Sequence, residues 1–198
     1  GILGENQLSA NQIALNLASM TFMVANGLGI TAMIRVGNQL GARNYANLRR
    51  VAFSVFLLVL CTQAFFAGLL AILRDWLPSL YLEMDNVEKA ATNAAVISEA
   101  ANLLLIAAIF QISDGLQVTA LGALRGMQDA KVPMVITFIA YWLIAFPILC
   151  ALGLNTSLGT MGIWIGLLTG LTAAAICLLY RFNHISLRLI ANRHKLPN

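Results

Sequence analysis

Charge is what this sequence has least of. Only 10% of its 198 residues are Asp, Glu, Lys or Arg, where a water-exposed domain usually carries about 25%. Such a chain cannot wet its own surface. That excludes a soluble helical bundle, whose outer helices would each need a charged stripe. Acids are scarcer than bases, 8 against 12. A basic balance can signal nucleic acid, but that reading needs a concentrated basic face on a soluble fold. Here the bases stand at the ends of apolar runs, and no nucleic-acid partner is expected. Cysteine is limited to Cys61, Cys150 and Cys177, an odd number inside apolar segments and without metal-ligand spacing. Neither a disulfide framework nor a metal cluster follows. A phosphate-binding glycine loop, a dinucleotide fingerprint and a Ser/His/Asp arrangement are also missing, so no enzyme and no cofactor is expected. His184 and His194 have no ligand spacing. The first twelve residues lack a positive segment, so no cleavable signal is expected in them.

What is there is hydrophobic: 60% of the residues, with a mean hydropathy of +0.81. Apolar runs fall at 12–34, 51–73, 96–124, 133–154 and 159–180. Each is near or above the roughly 20 residues that a helix needs to cross the hydrocarbon, and far longer than barrel strands of about 10. The expected fold is all-α and integral to a membrane, with five crossing helices. Orientation follows from the bases. Arg35, Arg43, Arg49, Arg50, Arg125, Lys131, Arg181, Arg188, Arg193 and Lys195 gather on one side. Only Arg74 and Lys89 lie on the other, beside Asp75, Glu83, Asp85 and Glu88. The first residues are therefore expected outside, and 181–198 as a basic cytoplasmic tail. Trp76 and Tyr81 suit the outer aromatic belt.

Polar residues within the spans carry the functional signal. Asp114 stands about 11 residues before Arg125, which at 1.5 Å per residue puts it ~16 Å deep, near the midplane. A carboxylate there is costly unless protonated, paired or cation-bound. Phe110, Gln111 and Gln117 share its side of the helix, with Ser113 beside them, so Asp114 is expected to face a cavity and hold a proton or small cation. A packing hydrogen bond is the plainer alternative. Glu99 lies nearer the outer water and reads as interfacial. On the first span Gln12, Asn16, Ser19, Met23, Asn26, Gly27 and Ile30 fall on one face. Asn16, Met23 and Asn26 either line a solvated path or hydrogen-bond another helix. The fourth span holds Tyr141, a cavity candidate, and Trp142; Pro147 should kink it. Gly162, Gly166 and Gly170 make a face for close helix contact.

Two stretches resemble a known family. One is Ala10-Asn11-Gln12-Ile13-Ala14-Leu15-Asn16 followed by Arg35-Val36-Gly37-Asn38-Gln39-Leu40-Gly41-Ala42. The other is Phe110-Gln111-Ile112-Ser113-Asp114-Gly115-Leu116-Gln117, running to Ala123-Leu124-Arg125-Gly126 and Gln128-Asp129-Ala130-Lys131-Val132-Pro133. In order and spacing they resemble the NorM type of multidrug and toxic compound extrusion (MATE) transporters.

That family has twelve helices in two lobes, and the resemblance implies that these five are most of the second, C-terminal lobe, helices eight to twelve. The seventh helix and the first lobe would then be partners outside a chain that starts at Gly1, and the fragment would be inactive alone. It further implies a secondary antiporter in a bacterial inner membrane, exporting organic cations or amphiphilic drugs in exchange for Na⁺ or H⁺. Asp114 would match the family's acidic cation-site residue. Phe110 departs from the tyrosine that some members carry there and supplies no oxygen. Arg35, Gly37, Gly41, Arg125 and Gly126 are expected to act in structure or gating, the glycines by allowing tight turns and close approach. Alternatives are a lipid-linked saccharide flippase of the same superfamily, which would want a cationic cavity rather than a central acid, and a non-transport membrane scaffold.

Overall fold

A computed structural model describes residues 5–82, 90–156 and 158–193. The acidic outer junction at Glu83, Asp85, Glu88 and Lys89, and Ser157, His194 and Lys195, lie outside the described residues. Five helices are long and apolar enough to cross a membrane. They are α1 (Glu5–Gly41), α2 (Tyr45–Ile72), α3 (Ala90–Gly126), a fourth built of α4 (Lys131–Ile139), a π turn (Ala140–Ala145) and α5 (Phe146–Asn155), and α6 (Thr160–Arg193). A short 3₁₀ turn, Leu77–Tyr81, follows α2. The all-α membrane architecture read from the sequence is what the chain forms. The helices overrun the apolar runs: α6 passes the expected boundary at Tyr180 and stays helical to Arg193.

Many of the interior positions are alanine, and many large apolar side chains face outward. Ala10, Ala14, Ala25, Ala32, Ala100, Ala107, Ala120, Ala123 and Ala174 are buried, while Met20, Leu57, Phe65, Ile72, Phe138 and Leu143 are exposed. In lipid there is no hydrophobic gain from burying a leucine, so helices associate through small residues that let backbones approach. α3 is the central helix, packed against α1, α2 and α6. A Cβ on Gly122 would run into the Gly29 carbonyl oxygen, and one on Gly126 into the Met33 carbonyl. Gly37 lies 3.4 Å from the Gly126 carbonyl by the same measure. Gly37 thus lies within the helix beside Gly126, at a distance where a Cβ would make an ordinary contact, and makes no turn. Gly162, Gly166 and Gly170 give α6 a close approach like that at Gly122 and Gly126, against Leu152, Leu149 and the Ala140–Ala145 turn.

The α1–α2 and α3–α4 turns use non-glycine residues where a glycine was expected to help. After Gly41, Arg43 sits at φ 54°, with Arg43 N–H donating to the Leu40 carbonyl and Asn44 N–H to that of Gln39. After Gly126, Gln128 sits at φ 62°, with Gln128 N–H donating to Arg125 and Asp129 N–H to Leu124. Both are Schellman closures whose left-handed position follows the glycine by two residues. Gly41 itself is the last helical residue and has nothing within 4 Å of a would-be Cβ.

Pro147 distorts the fourth span as expected, in a particular form. It has no N–H to offer the carbonyl four residues back, and the turn before it widens to a π turn, in which Phe146 N–H donates to the Tyr141 carbonyl. The widened turn presents Tyr141 towards α3.

Candidate functional site

Two apolar clusters fill the bundle, one at each end. The one expected to lie outward gathers Ile13, Leu17, Leu70, Leu103, Leu104 and Trp164, and the one expected to lie inward Val36, Leu48, Phe56, Leu124, Leu178 and Phe182. Between them, at mid-height on every long helix near α3, lies a layer of polar side chains: Thr21 on α1, Gln63 on α2, Gln111, Ser113, Asp114, Gln117 and Thr119 on α3, and Thr172 on α6. An apolar core with one polar layer at its middle is what a membrane protein builds where polarity has a use.

Asp114 is half-buried and lines a cavity of 290 Å³ between α1, α3 and α6. Asn11 and Ser19 come from α1, Phe110 and Gln111 from α3, and Trp164 from α6. Among the described residues the ion pairs are Arg74–Asp75 and Arg181–Asp129, so neither involves Asp114. One end of the cavity is braced by two contacts between helices. Trp164 Nε1 donates to Asn11 Oδ1 at 2.9 Å, and the Phe110 and Trp164 rings meet edge to face at 5.5 Å.

The other faces of α3 are tied to neighbouring helices. Ser113 and Thr172 share a hydrogen bond at 3.0 Å. Tyr141 Oη donates to Gln117 Oε1 at 2.9 Å, and both line a second, open groove with Thr137 and Trp142. Gln63 and Gln111 form a reciprocal clasp. Gln63 Nε2 donates to the Gln111 carbonyl at 3.0 Å and Gln111 Nε2 to the Gln63 carbonyl at 3.3 Å. Both side chains are buried, and neither side-chain oxygen has a partner.

The candidates thus divide. Asp114, Phe110 and Gln111 share the cavity, whereas Gln117 and Tyr141 sit together on the adjoining groove. Asn16, Met23 and Asn26 are on the exposed face of α1, with Met23 74% exposed, and they are not walls of the Asp114 cavity. Asn11, Trp164 and Gln63 were not singled out from the sequence. Asn11 lay inside a quoted motif, and Gln63 is a lone amide in an otherwise apolar run; a count of amides within spans would have found it. Among the described residues there is no cluster of three His, Cys, Asp or Glu fit for a metal.

At the inner end Arg181 grips Asp129 with two bonds, Nε to Oδ2 at 2.5 Å and a second guanidinium nitrogen to Oδ1 at 3.0 Å. Arg49 donates to Ser186 Oγ at 2.6 Å and lies over the Phe53 ring. Arg35 and Arg125 are exposed close to the inner ends of α1 and α3.

Comparison with known proteins agrees with this architecture. The family model MatE matches residues 1–150. Over 191 residues the chain is 38% identical to the "Probable multidrug resistance protein NorM" of Xylella fastidiosa (strain 9a5c), covering 96% of the chain and 39% of that relative. Over 200 residues it is 38% identical to the "Multidrug resistance protein PmpM" of Pseudomonas aeruginosa, covering 99% and 40%. The chain therefore spans about two fifths of the length of these relatives. Its fold superposes on the outward-facing conformation of a multidrug resistance MATE family transporter of the MOP superfamily, with a TM-score of 0.82 at 14% identity, over 95% of this chain and 40% of that one. A profile match over three quarters of the sequence, near 40% identity to curated members and the same helical arrangement have one meaning: this multi-pass membrane chain belongs to the MatE family.

Proposed function

We propose that the chain forms most of the C-terminal lobe of a secondary antiporter that exports organic cations or amphiphilic drugs, with Asp114 holding the coupling ion, Na⁺ or H⁺. The observation that carries this reading is a carboxylate in a polar layer at the middle of an apolar bundle, facing a cavity and without an ion pair among the described residues. A charge so placed is stable only with a proton or cation, and binding or losing it changes the energy of the surrounding helices. Coupling needs just that: the ion must bind the two states of the transporter with different affinity.

The rest of the machine is proposed with it. A first lobe and a seventh helix complete the cavity. The first residues face outward and the carboxyl end lies in the cytoplasm, across a bacterial inner membrane. Asn16, Met23 and Asn26, exposed on α1, face the space between the lobes, where a thioether adapts to varied apolar ligands. Gln117 and Tyr141 hold the fourth span against α3 beside the ion site. The junction residues Arg35, Gly37, Gly41, Arg125, Gly126 and Pro147 set the helix ends and the bend about which a lobe moves. No catalytic chemistry and no cofactor beyond the coupling ion is involved. The central acid favours this reading over that of a flippase for anionic lipid-linked sugars.

Asp114→Asn in the full-length transporter tests it. Efflux of a fluorescent organic cation from vesicles with an imposed Na⁺ or pH gradient is expected to vanish, with membrane insertion intact. Efflux at the unmodified rate would sink the assignment, and the gradient that drives the unmodified protein identifies the ion.

A further inference from the structure

The fourth span and α6 part at the π turn. From α5 to that turn they are pressed together, with Gly162, Gly166 and Gly170 of α6 against Leu152, Leu149 and Ala145. By helical period the same face of α6 continues as Cys177, Tyr180 and His184. Larger side chains take over where the glycines end, and α4 stands off α6. Between the two lies a cavity of about 530 Å³, lined by Ile136, Ile176, Cys177, Tyr180, Arg181 and His184. Beyond it Arg181 ties α6 to Asp129, just before α4. The wall faces outward: Ile176 is 62% and Tyr180 72% exposed, and Cys177 is exposed too.

The lining changes chemistry along its length. Ile136, Ile176 and Cys177 make an apolar part deeper in the span. His184 stands about two turns past Ile176, ~12 Å along α6 towards the basic end. The Tyr180 and His184 rings lie nearly parallel with centroids 6.4 Å apart, and phenol and imidazole can both donate to an oxyanion. Arg181 spends Nε and Nη2 on Asp129, and its Nη1 makes no bond among the described residues. Lys131, the first residue of α4, and Arg188, one turn beyond His184, are exposed at the same end. Among the described residues Asp129 is the one acid there, and both its oxygens are already held. Donors and positive charge thus meet the mouth of an apolar cavity. A soluble anion would leave the apolar part unfilled, and an apolar helix would leave the donors unpaired. An amphiphile with a negative head satisfies both, which is how basic pockets between spans hold acidic lipids. We propose that this wedge binds one anionic phospholipid of the adjoining leaflet, its phosphate against Arg181, His184 and Lys131 and an acyl chain along Ile136, Ile176 and Cys177. The wedge shares no lining residue with the Asp114 cavity, so the site stands whichever ion that acid takes.

The test is native mass spectrometry of the purified full-length transporter, titrated in detergent with phosphatidylglycerol or with phosphatidylcholine of the same acyl chains. The first phosphatidylglycerol is expected to bind at least about tenfold more tightly than phosphatidylcholine, and Lys131→Gln to cut that preference about fivefold. Adding His184→Ala should remove most of the remainder. Cys177→Trp fills the apolar part and should expel the lipid, whereas Arg43→Gln, on the α1–α2 turn at the same end, should leave binding unchanged. Inorganic phosphate should not compete. Equal affinity for the two lipids would overturn the proposal. So would an equal loss in Arg43→Gln, which would mean a diffuse attraction to the basic end. Tight binding kept in both Cys177→Trp and the Lys131→Gln/His184→Ala pair would place the lipid elsewhere, and competition by phosphate would remove the acyl chain from the site; either result overturns it. Should Cys177→Trp not fold, the unmodified thiol reports directly once Cys61 and Cys150 are replaced by serine. Phosphatidylglycerol is expected to slow the reaction of Cys177 with N-ethylmaleimide several-fold, and phosphatidylcholine to leave it unchanged. Equal rates with the two lipids would refute the site. So would a thiol shielded with no lipid added, the result expected if a preceding helix of the full-length protein filled the wedge.

Discussion

Arg43 and Gln128 take backbone conformations that L side chains resist. At φ 54° and 62° each occupies the left-handed position that closes a helix, where a Cβ crowds the following carbonyl at a cost of roughly 1–2 kcal/mol. Glycine would relieve that crowding and lose part of the gain to its freer unfolded chain. Gln128 is exposed and among the described residues makes no side-chain bond, so Gln128→Gly is expected to stabilise the folded protein by ~0.5–1 kcal/mol. Thermal unfolding in detergent should show a rise in midpoint for Gln128→Gly and none for Gln128→Ala. A fall in Gln128→Gly would mean that the side chain has a partner in the assembled transporter. Asp129, the next residue, is already committed: its carboxylate is only 17% exposed and held at both oxygens by Arg181. This turn thus ties the end of α3 to α6, and the left-handed residue before Asp129 aims it there.

Between elements, separation is set by glycine rather than by fit of large side chains. Gly122 and Gly126 stand four residues apart on α3 and meet Gly29, Met33 and Gly37 of α1, backbone against backbone. Adding one methyl at Gly122 forces the helices apart, because a carbonyl oxygen cannot rotate away as a side-chain tip can. Overpacking of a tight contact costs typically ~1–3 kcal/mol. Gly122→Ala is expected to lower the unfolding midpoint in detergent, whereas Gly68→Ala on α2, with nothing within 4 Å, should leave it unchanged. An equal response from both would refute the close crossing. Sequence reading found the glycine spacing on α6, since three in a row at four-residue intervals stand out within one helix. It did not find Gly29 with Gly122, because that match exists only once α1 and α3 are laid in register. Asp114 was legible alone, because an acid in an apolar run announces its own cost. Gln63 was not, for a single amide in a span is cheap, and its meaning comes from Gln111 on another helix. Pro147 promised a bend; the π turn packs against Gly170 on another helix, where a Cβ would meet Ala145 and the Ala140 carbonyl.

For the molecule as a whole the decisive property is which end faces the cytoplasm. The α1–α2 turn, the α3–α4 turn and the carboxyl end of α6 share one end of the antiparallel bundle, with the inner apolar cluster beneath them. That end carries Arg35, Arg43, Arg49, Arg50, Arg125, Lys131, Arg181 and Arg188. Among the described residues the opposite end carries Arg74, which lies 3.6 Å from Asp75. Lys and Arg beside a span resist translocation, which is the ground for the proposed orientation with the rich end inside. At that end Arg181 with Asp129 ties the α3–α4 turn to α6, and Arg49 with Ser186 ties α2 to α6. The test uses the full-length transporter with Cys61, Cys150 and Cys177 replaced and one new cysteine at a time. A maleimide that cannot cross the membrane, added to intact cells, is expected to label cysteines at Ser79 and Thr156 but spare those at Ala42 and Ala130. Permeabilised cells should yield label at all four. Labelling of Ala42 or Ala130 in intact cells would invert the bundle, and with it the direction from which the coupling ion reaches Asp114.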